Sequence, residues 1–493
     1  MPGGGILKML YFLGEIRVYQ GIVFLASTLF VLMFCVFTRK TDNKKSFLWL
    51  KIFTVLFCAV GFFRFMLSDG FIWVINGSFY SGVFYDKVDV LQSILRWGYN
   101  LSYCVLPMCI FFDNRLFRNV ALYICLPFSM LSTIFLNDYM VYFLDSTGRG
   151  LHFVEWFRYA YFMFELVLAN SLPVIMGIKS KHCFNVKSWT EWKNFLIATP
   201  LIFLLLIPVY LPQSLFGYSS IVAKAFSMGH IVWLLITFLI VALIYIYFRF
   251  KDYNARYQVC IFLCLALFFH YNSLYLMGFS IPRLPIQLCN LGAYFFMICV
   301  PFKLTKMFNF AFLVNIVGAL IAMVAPDISG GLFGFWNVHF IYEHSLVLIV
   351  PAVCMLLRIF PRIKVNSLKH MWFGFSCYFL FCLISGTILN GFAVETGFKV
   401  NYFYIFDLDK AFDYFPFLSF SSKFALHLGR FVLYPVFQLI IYLGFIGIVC
   451  LFYLFTQMMY KVIDDHLALR KSRIELFEKI TKKKSKAPTE FVD

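Results

Sequence analysis

In the stretch LPIQLCNLGAYFF, Leu284 to Phe296, Cys289 stands between Gln287 and Asn290 in a region otherwise built largely of apolar residues. A thiol attacks a carbonyl carbon once a neighbouring group takes its proton, and an imidazole that accepts this proton can later return it to the leaving group. The sequence offers such an imidazole at His344, preceded by Glu343, in EHSLVLIV. Chain order is no obstacle, because a Cys/His arrangement is defined by geometry and roles. Each residue also has an ordinary reading. A cysteine among fourteen can be a small buried apolar side chain, and a histidine in an apolar helix can simply bond to a neighbouring helix.

The elements that must position these groups are membrane helices. Hydrophobic residues make up 62% of the 493 positions and charged residues only 13%, which excludes a soluble domain. Apolar stretches of about 20 residues, each long enough to cross a hydrocarbon core of roughly 30 Å, recur along the chain. Thirteen such spans are read: 18–37, 47–67, 91–112, 118–136, 153–177, 194–212, 228–249, 257–278, 284–302, 308–326, 335–357, 370–391 and 430–457. The expected fold is therefore an all-α, polytopic membrane helix bundle.

Connections following the odd-numbered spans except the last are basic, for example TRKTDNKK (38–45), KSKHCFNVK (179–187) and RIFPRIK (358–364). Those following the even-numbered spans are aromatic, Gly-rich or acidic. The positive-inside rule then places the N-terminus outside and the C-terminus inside, in a multi-pass protein of the cell membrane. The net charge of +18 reads as orientation and attraction to anionic head groups, with no nucleic acid as partner. The cysteines show neither C-x-x-C nor His/Cys metal spacing, so no metal, cofactor or disulfide framework is indicated. The first residues lack the pattern of a cleaved signal and read as retained.

The chain resembles itself. IVFLASTLF near Ile22 is similar to IVWLLITFL near Ile231, and FFRF at Phe62 to FFHY at Phe268. At a shift of 189 residues 117–138 falls on 306–327, and at 180 residues 162–173 falls on 342–353. Six spans separate equivalent helices, so the reading is a parallel internal duplication. It divides the chain into a first-half bundle at 1–220, a second-half bundle at 221–460 and a basic cytoplasmic tail at 461–493. Cys289 then stands opposite Asn100, His344 opposite Phe164 and His270 opposite Arg64, so the reactive groups lie in the second half.

That topology sets depth. Cys289 lies about 8 Å and His344 roughly 14 Å from the outer ends of their spans, at 1.5 Å per residue. His230, His270 and Asp327 fall at the outer ends of theirs, so a shared pocket opening to the outer leaflet is expected. Asp327 after Pro326 also reads as a helix-end cap, and Pro285 as a helix-start residue. The connection 390–417 carries Asn401 and Tyr402 among aromatic and acidic residues, suiting either a lid at the head-group level or an ordinary interfacial loop.

The order MGHIVWLLI, RLPIQLCNL, ALIAMVAPD, EHSLVLIV and NGFAVETGFKVNYFYI resembles the YwaF family of integral membrane proteins and its animal relative, transmembrane protein 164, over residues 228–457. The position two before the cysteine, commonly His in that family, is Gln287 here. The resemblance implies a phospholipid acyltransferase with Cys289 as nucleophile and His344 as base. It further implies Gln287 or Asn290 at the oxyanion, and Asp327 orienting an imidazole. The donor would be a membrane phospholipid and the acceptor a lysolipid or a lipoprotein amino group. A lipid or small-molecule transporter is the rival reading, favoured by the span number and the repeat. A structural membrane protein is the third.

Overall fold

In hydrocarbon an apolar run must satisfy its backbone polar groups internally, and the helix is how a single segment does so. In the computed structural model, residues 18–67, 90–112, 114–135, 155–208, 224–277, 284–326, 328, 332, 335–408, 412 and 416–484 are described. Helices α1 (Val18–Phe37), α2 (Asn43–Leu67), α3 (Val90–Asn100) and α4 (Ser102–Phe111) are followed by α5 (Arg115–Ile134), α6 (Glu155–Ser180) and α7 (Trp189–Leu205). The second half holds α8 (Met228–Phe248), α9 (Tyr253–Asn272), α10 (Leu288–Cys299), α11 (Thr305–Val324), α12 (Phe335–Leu356), α13 (Val365–Gly391) and α14 (Pro435–Lys484). Between α13 and α14 lies a small hairpin, β1 (Leu426–Leu428) antiparallel to β2 (Phe431–Leu433).

Each expected span overlaps a helix among the described residues, and ten of the described helices are long and apolar enough to cross a membrane. Three expected spans differ in form. The span at 91–112 is divided at Leu101 into α3 and α4. Within α4, Pro107 has no N–H to give the Tyr103 carbonyl, which the Cys58 thiol approaches at 3.5 Å. The span read at 194–212 is α7, which begins earlier because Ser188 caps it, its Oγ accepting from the Glu191 N–H. The span at 284–302 contains only the 12 residues of α10. Pro285 lies in the turn before that helix and Pro301 follows it.

The two halves share a pattern of neighbours. In the first half α6 packs on α1, α2 and α5, α4 packs on α2 and α5, and α7 packs on α5. In the second half α12 packs on α8, α9 and α11, α10 packs on α9 and α11, and α13 packs on α11. The halves meet where α9 packs on α2 and α4. There Phe62 stacks on Phe268 at 5.7 Å and Tyr103 on Phe269 at 5.1 Å.

The first half is not devoid of buried charge. Arg64 of α2 pairs with Glu165 of α6 at 3.0 Å, and both are buried. Arg64 Nη2 donates to the Tyr103 hydroxyl at 2.8 Å, Tyr99 donates to Glu165 Oε1 at 2.8 Å, and Tyr103 also bonds to Glu165.

The connection from α6 to α7 is held by polar contacts. Arg115 Nε donates to Glu191 Oε1 at 2.9 Å, Asn119 Nδ2 donates to the same oxygen at 2.7 Å, and His182 Nε2 lies 2.6 Å from Asn119 Oδ1. Burial, then the charges of Arg115 and Arg118, hold His182 below its ordinary 6.5. At Glu191 burial opposes the charge, but hydrogen bonds from Arg115 and Asn119 outweigh it and keep the carboxyl below its ordinary 4.5. Both groups have depressed folded values, so the unfolded connection binds more protons and acid destabilises it. The loss begins below pH 6.5 through His182 and continues below 4.5 through Glu191. Hydrogen exchange over 181–191, corrected for intrinsic rate, is expected to quicken from pH 7.5 to 5; equal protection at both would count against this account.

Candidate functional site

The short helix α10 begins abruptly. Gln287 is extended, with φ −59° and ψ 144°, and Cys289 occupies the first turn. Three contacts fix that start. Asn315 of α11, fully buried, donates its amide to the Leu288 carbonyl. Tyr378 of α13 donates to the Ile286 carbonyl at 2.9 Å. Gln287 clasps a distant turn, its Nε2 donating to the Asn401 carbonyl at 2.8 Å and its Oε1 accepting from the Phe403 N–H at 3.0 Å.

The clasped turn is strained. Phe403 and Tyr404 have φ of 54° and 56°, a left-handed region that bulky residues rarely adopt. The Gln287 amide and the packing of Phe403 against Phe375, Tyr378, Phe379 and Phe445 hold it. Asn401 supports it from within, its Oδ1 accepting from the N–H groups of Phe406 and Asp407 at 3.0 and 3.2 Å. Tyr402 is buried. This part of the connection is thus bonded to the residues immediately before Cys289.

Close approach of α10 and α11 depends on glycine. A Cβ on Gly292 would lie 2.7 Å from Asn315 Nδ2, and one on Gly318 would lie 2.9 Å from Leu288 Cδ2. Gly292→Ala must push aside a buried, hydrogen-bonded amide and is expected to destabilise by about 1–3 kcal/mol. Gly444→Ala, where a Cβ meets nothing within 4 Å, serves as the control and should be neutral or slightly stabilising. Thermal unfolding in lipid nanodiscs checks the pair, and equal melting temperatures would refute the packing argument.

On α12 the polar residues divide between two surroundings. Glu343 is buried, with its Oε2 3.5 Å from His339 Nε2 one turn earlier. The His339 ring stacks on His270 of α9 at 5.4 Å and 19°, and His270 Nε2 lies 3.4 Å from the His339 carbonyl. Glu343 lies on α12, which packs on both α9 and α10. Its Oε1 has no hydrogen-bond partner among the described residues. Nearby, Tyr294 of α10 donates to Asn272 Oδ1 at 2.6 Å, tying α10 to α9.

His344 has other neighbours. Its Nδ1 lies 2.7 Å from the Phe340 carbonyl and its ring packs on Phe340 at 4.1 Å, which leaves Nε2 for chemistry. The next residue, Ser345, accepts from Trp233 Nε1 of α8 at 2.6 Å. No hydrogen bond joins His344 to Cys289 among the described residues.

His230 is a staple. It accepts the Phe226 N–H at Nδ1, 2.8 Å, and its Nε2 lies 2.7 Å from the Met323 carbonyl, binding the start of α8 to the end of α11. Asn290 is half-buried in the first turn of α10. Asp327 lies outside the described residues. Of the residues singled out in the sequence, Gln287, Asn401 and Tyr402 therefore gather before Cys289, while Glu343 and His270 gather around His339. The sequence reading passed over His339, Asn315 and Tyr378. Only His339 carried a signal, being placed four residues before a glutamate on an apolar helix.

No curated protein and no solved structure matches the chain. The TMEM164 family model matches residues 225–455, the part of the chain that carries Cys289, Glu343 and His344, so this part of the chain is similar to the TMEM164 family.

Proposed function

We propose that the protein is a membrane acyltransferase that carries a fatty acyl group on Cys289. The thiol sulfur attacks the ester carbonyl of a phospholipid, the ester C–O bond breaks, and a lysophospholipid leaves with the proton. A hydroxyl or amino group of the acceptor then attacks the thioester and frees the thiol. The observation that carries this reading is the setting of Cys289. It is half-buried at the start of a helix whose first N–H groups have no intrahelical partners, inside an apolar bundle.

The charge of the connections argues for the outer leaflet, where a lysolipid or the amino group of a lipoprotein would be the acceptor. His344, with Nδ1 occupied, supplies the imidazole that the family resemblance implies. A transport reading is favoured by the buried Arg64–Glu165 pair at the seam between the halves, because ionised groups at membrane depth mark pathways as well as sites.

Purified protein in nanodiscs, supplied with phospholipid, is expected to show a hydroxylamine-sensitive acyl adduct on the Cys289 peptide whose mass follows the chain length of the donor. Absence of the adduct with every lipid offered would sink the acyl-transfer reading in favour of transport.

A further inference from the structure

The connection between α13 and α14 presents a concentration of apolar side chains outside the spans. Phe417, Phe420, Phe424, Leu426 and Leu428 are each 45–71% exposed. Single exposed apolar residues are ordinary, but a group this dense marks a contact surface.

Two local structures sort these residues. In the 3₁₀ helix Pro416–Phe424, side chains three apart share a ridge. One ridge, Leu418 and Ser421, is buried; the second presents Phe417 and Phe420; the third presents Ser419 and Ser422. Ser421 and Ser422 donate their hydroxyls to the carbonyls of Leu418 and Ser419 at 2.6 and 2.7 Å, so both are satisfied even in an apolar surrounding. In the hairpin Leu426 stands opposite Leu433 and Leu428 opposite Phe431, which makes one face wholly apolar and leaves His427 on the other.

What covers this surface follows from what it joins. Helix α13 exposes Leu380, Phe381, Ile384 and Ile388 at helical spacing, the stripe that a span turns to lipid. One turn further stands Phe392, its ring 6.3 Å from that of Phe431, so the stripe continues onto the hairpin. Charges border it. Arg430, at the hairpin tip, lies 4.7 Å over the Phe392 ring and pairs with Glu395 at 3.0 Å, and Lys423 ends the ridge of Phe420. We propose that residues 416–433 form a membrane-seated platform, whose Phe417, Phe420, Leu426 and Leu428 enter the acyl chains of one phospholipid leaflet.

The platform also sets the level of Cys289. Phe431 packs at Gly391 of α13, and the adjacent Asn390 clasps Val400, donating to its carbonyl at 2.9 Å and accepting from its N–H at 2.8 Å. Leu418 clusters with Phe437 of α14, and the adjacent Gln438 donates to the Ile405 carbonyl at 3.4 Å. Gln287, two residues before Cys289, holds the same stretch through Asn401 and Phe403. Amides at the ends of α10, α13 and α14 thus grip residues 400–405, and the platform rests on two of those ends.

The test uses full-length protein in phosphatidylcholine nanodiscs that contain phosphatidylcholine with a diazirine in one acyl chain. On illumination, peptides from 416–433 should take label within about threefold of the α13 peptide that holds Ile384 and Ile388, as expected for apolar side chains sunk to the acyl boundary. In the same nanodiscs hydroxyl radicals should oxidise Phe420 and Leu428, corrected for intrinsic reactivity, at least about tenfold more slowly than Val186, exposed in the α6–α7 connection. Phe420→Glu combined with Leu428→Glu should cut label on 416–433 at least about tenfold, the effect of keeping one such side chain out of lipid, and leave label on α13 unchanged. Phe420→Ser should give a smaller fall and carries the test if the double variant misfolds. Unlabelled peptides oxidised as fast as Val186 would place the surface in water. Peptides neither labelled nor oxidised would mean that another part of the chain or a second copy covers it, and either result overturns the proposal. Seating needs no chemistry at Cys289, so label on 416–433 in a protein that forms no acyl adduct would support the platform all the same.

Discussion

Cys289→Ser is expected to abolish the proposed acyl transfer. A serine at this position keeps the size and a hydrogen-bonding proton, but the hydroxyl releases that proton far less readily than a thiol. The expected loss is on the order of 10³–10⁶ in turnover, the range seen when a nucleophile is removed and only binding and orientation remain. The specificity of the effect is as informative as its size. Cys299, at the other end of α10, is fully buried, and Cys299→Ser should leave the rate within a few-fold of native. The measurement is release of lysophospholipid from labelled phospholipid in nanodiscs. A Cys289→Ser protein that turns over at the native rate would remove the thioester from the mechanism.

The second large effect concerns folding. Glu165 is the partner of a buried guanidinium, and its Oε1 accepts from Arg64 Nε at 3.1 Å and from Tyr99 at 2.8 Å. Glu165→Leu removes the carboxylate that pairs with the buried Arg64 and bonds to the Tyr99 and Tyr103 hydroxyls. Breaking a buried pair from one side costs about 3–5 kcal/mol, whereas replacing both members by apolar residues is often neutral. The double variant Arg64→Leu, Glu165→Leu is therefore expected to be more stable than the single Glu165→Leu protein. Thermal unfolding of the three proteins in nanodiscs decides it. Losses that simply add would mean that the pair contributes as two independent side chains. The position of the pair gives the result a second use, because Tyr103 bonds to both charges and stacks on Phe269, next to His270. A double variant that is stable and retains acyl transfer would confine the first half to support.

The helices were legible because their signal is local. A run of about 20 apolar residues has to be helical in hydrocarbon whatever surrounds it, and each of the thirteen runs read from the sequence overlaps a helix, ten of the described helices being long and apolar enough to cross a membrane. The departures occur where a local rule competes with that one. Pro107 falls within α4, the cap Ser188 draws α7 toward its N-terminus, and the turn before Leu288 together with Pro301 confines α10 to 12 residues.

The site was only partly legible, for a different reason. Residue types and approximate depth along a span follow from the sequence, and on that basis Cys289, Glu343, His270 and Gln287 could be named. Which of them face one another depends on how each helix is rotated about its axis, and one residue along a helix is a turn of about 100°. Glu343 and His344 differ by that one step, and they have different neighbours. The rotation is set by side chains remote in sequence: Asn315 against the Leu288 carbonyl, Gly292 yielding space to Asn315, and Tyr294 reaching Asn272. Gln287 reaches a turn 114 residues away, a pairing that no periodicity encodes.

The sequence by itself therefore determined a polytopic helical membrane protein, the positions of its helices and the residues able to do chemistry, because each of these depends on composition within a single turn or span. Only the tertiary structure decided that Glu343 is drawn to His339 and His270, that Gln287 is engaged in holding a strained turn, and that His230 is a staple. Those outcomes rest on contacts between helices, and such contacts are settled by the packing of the whole bundle.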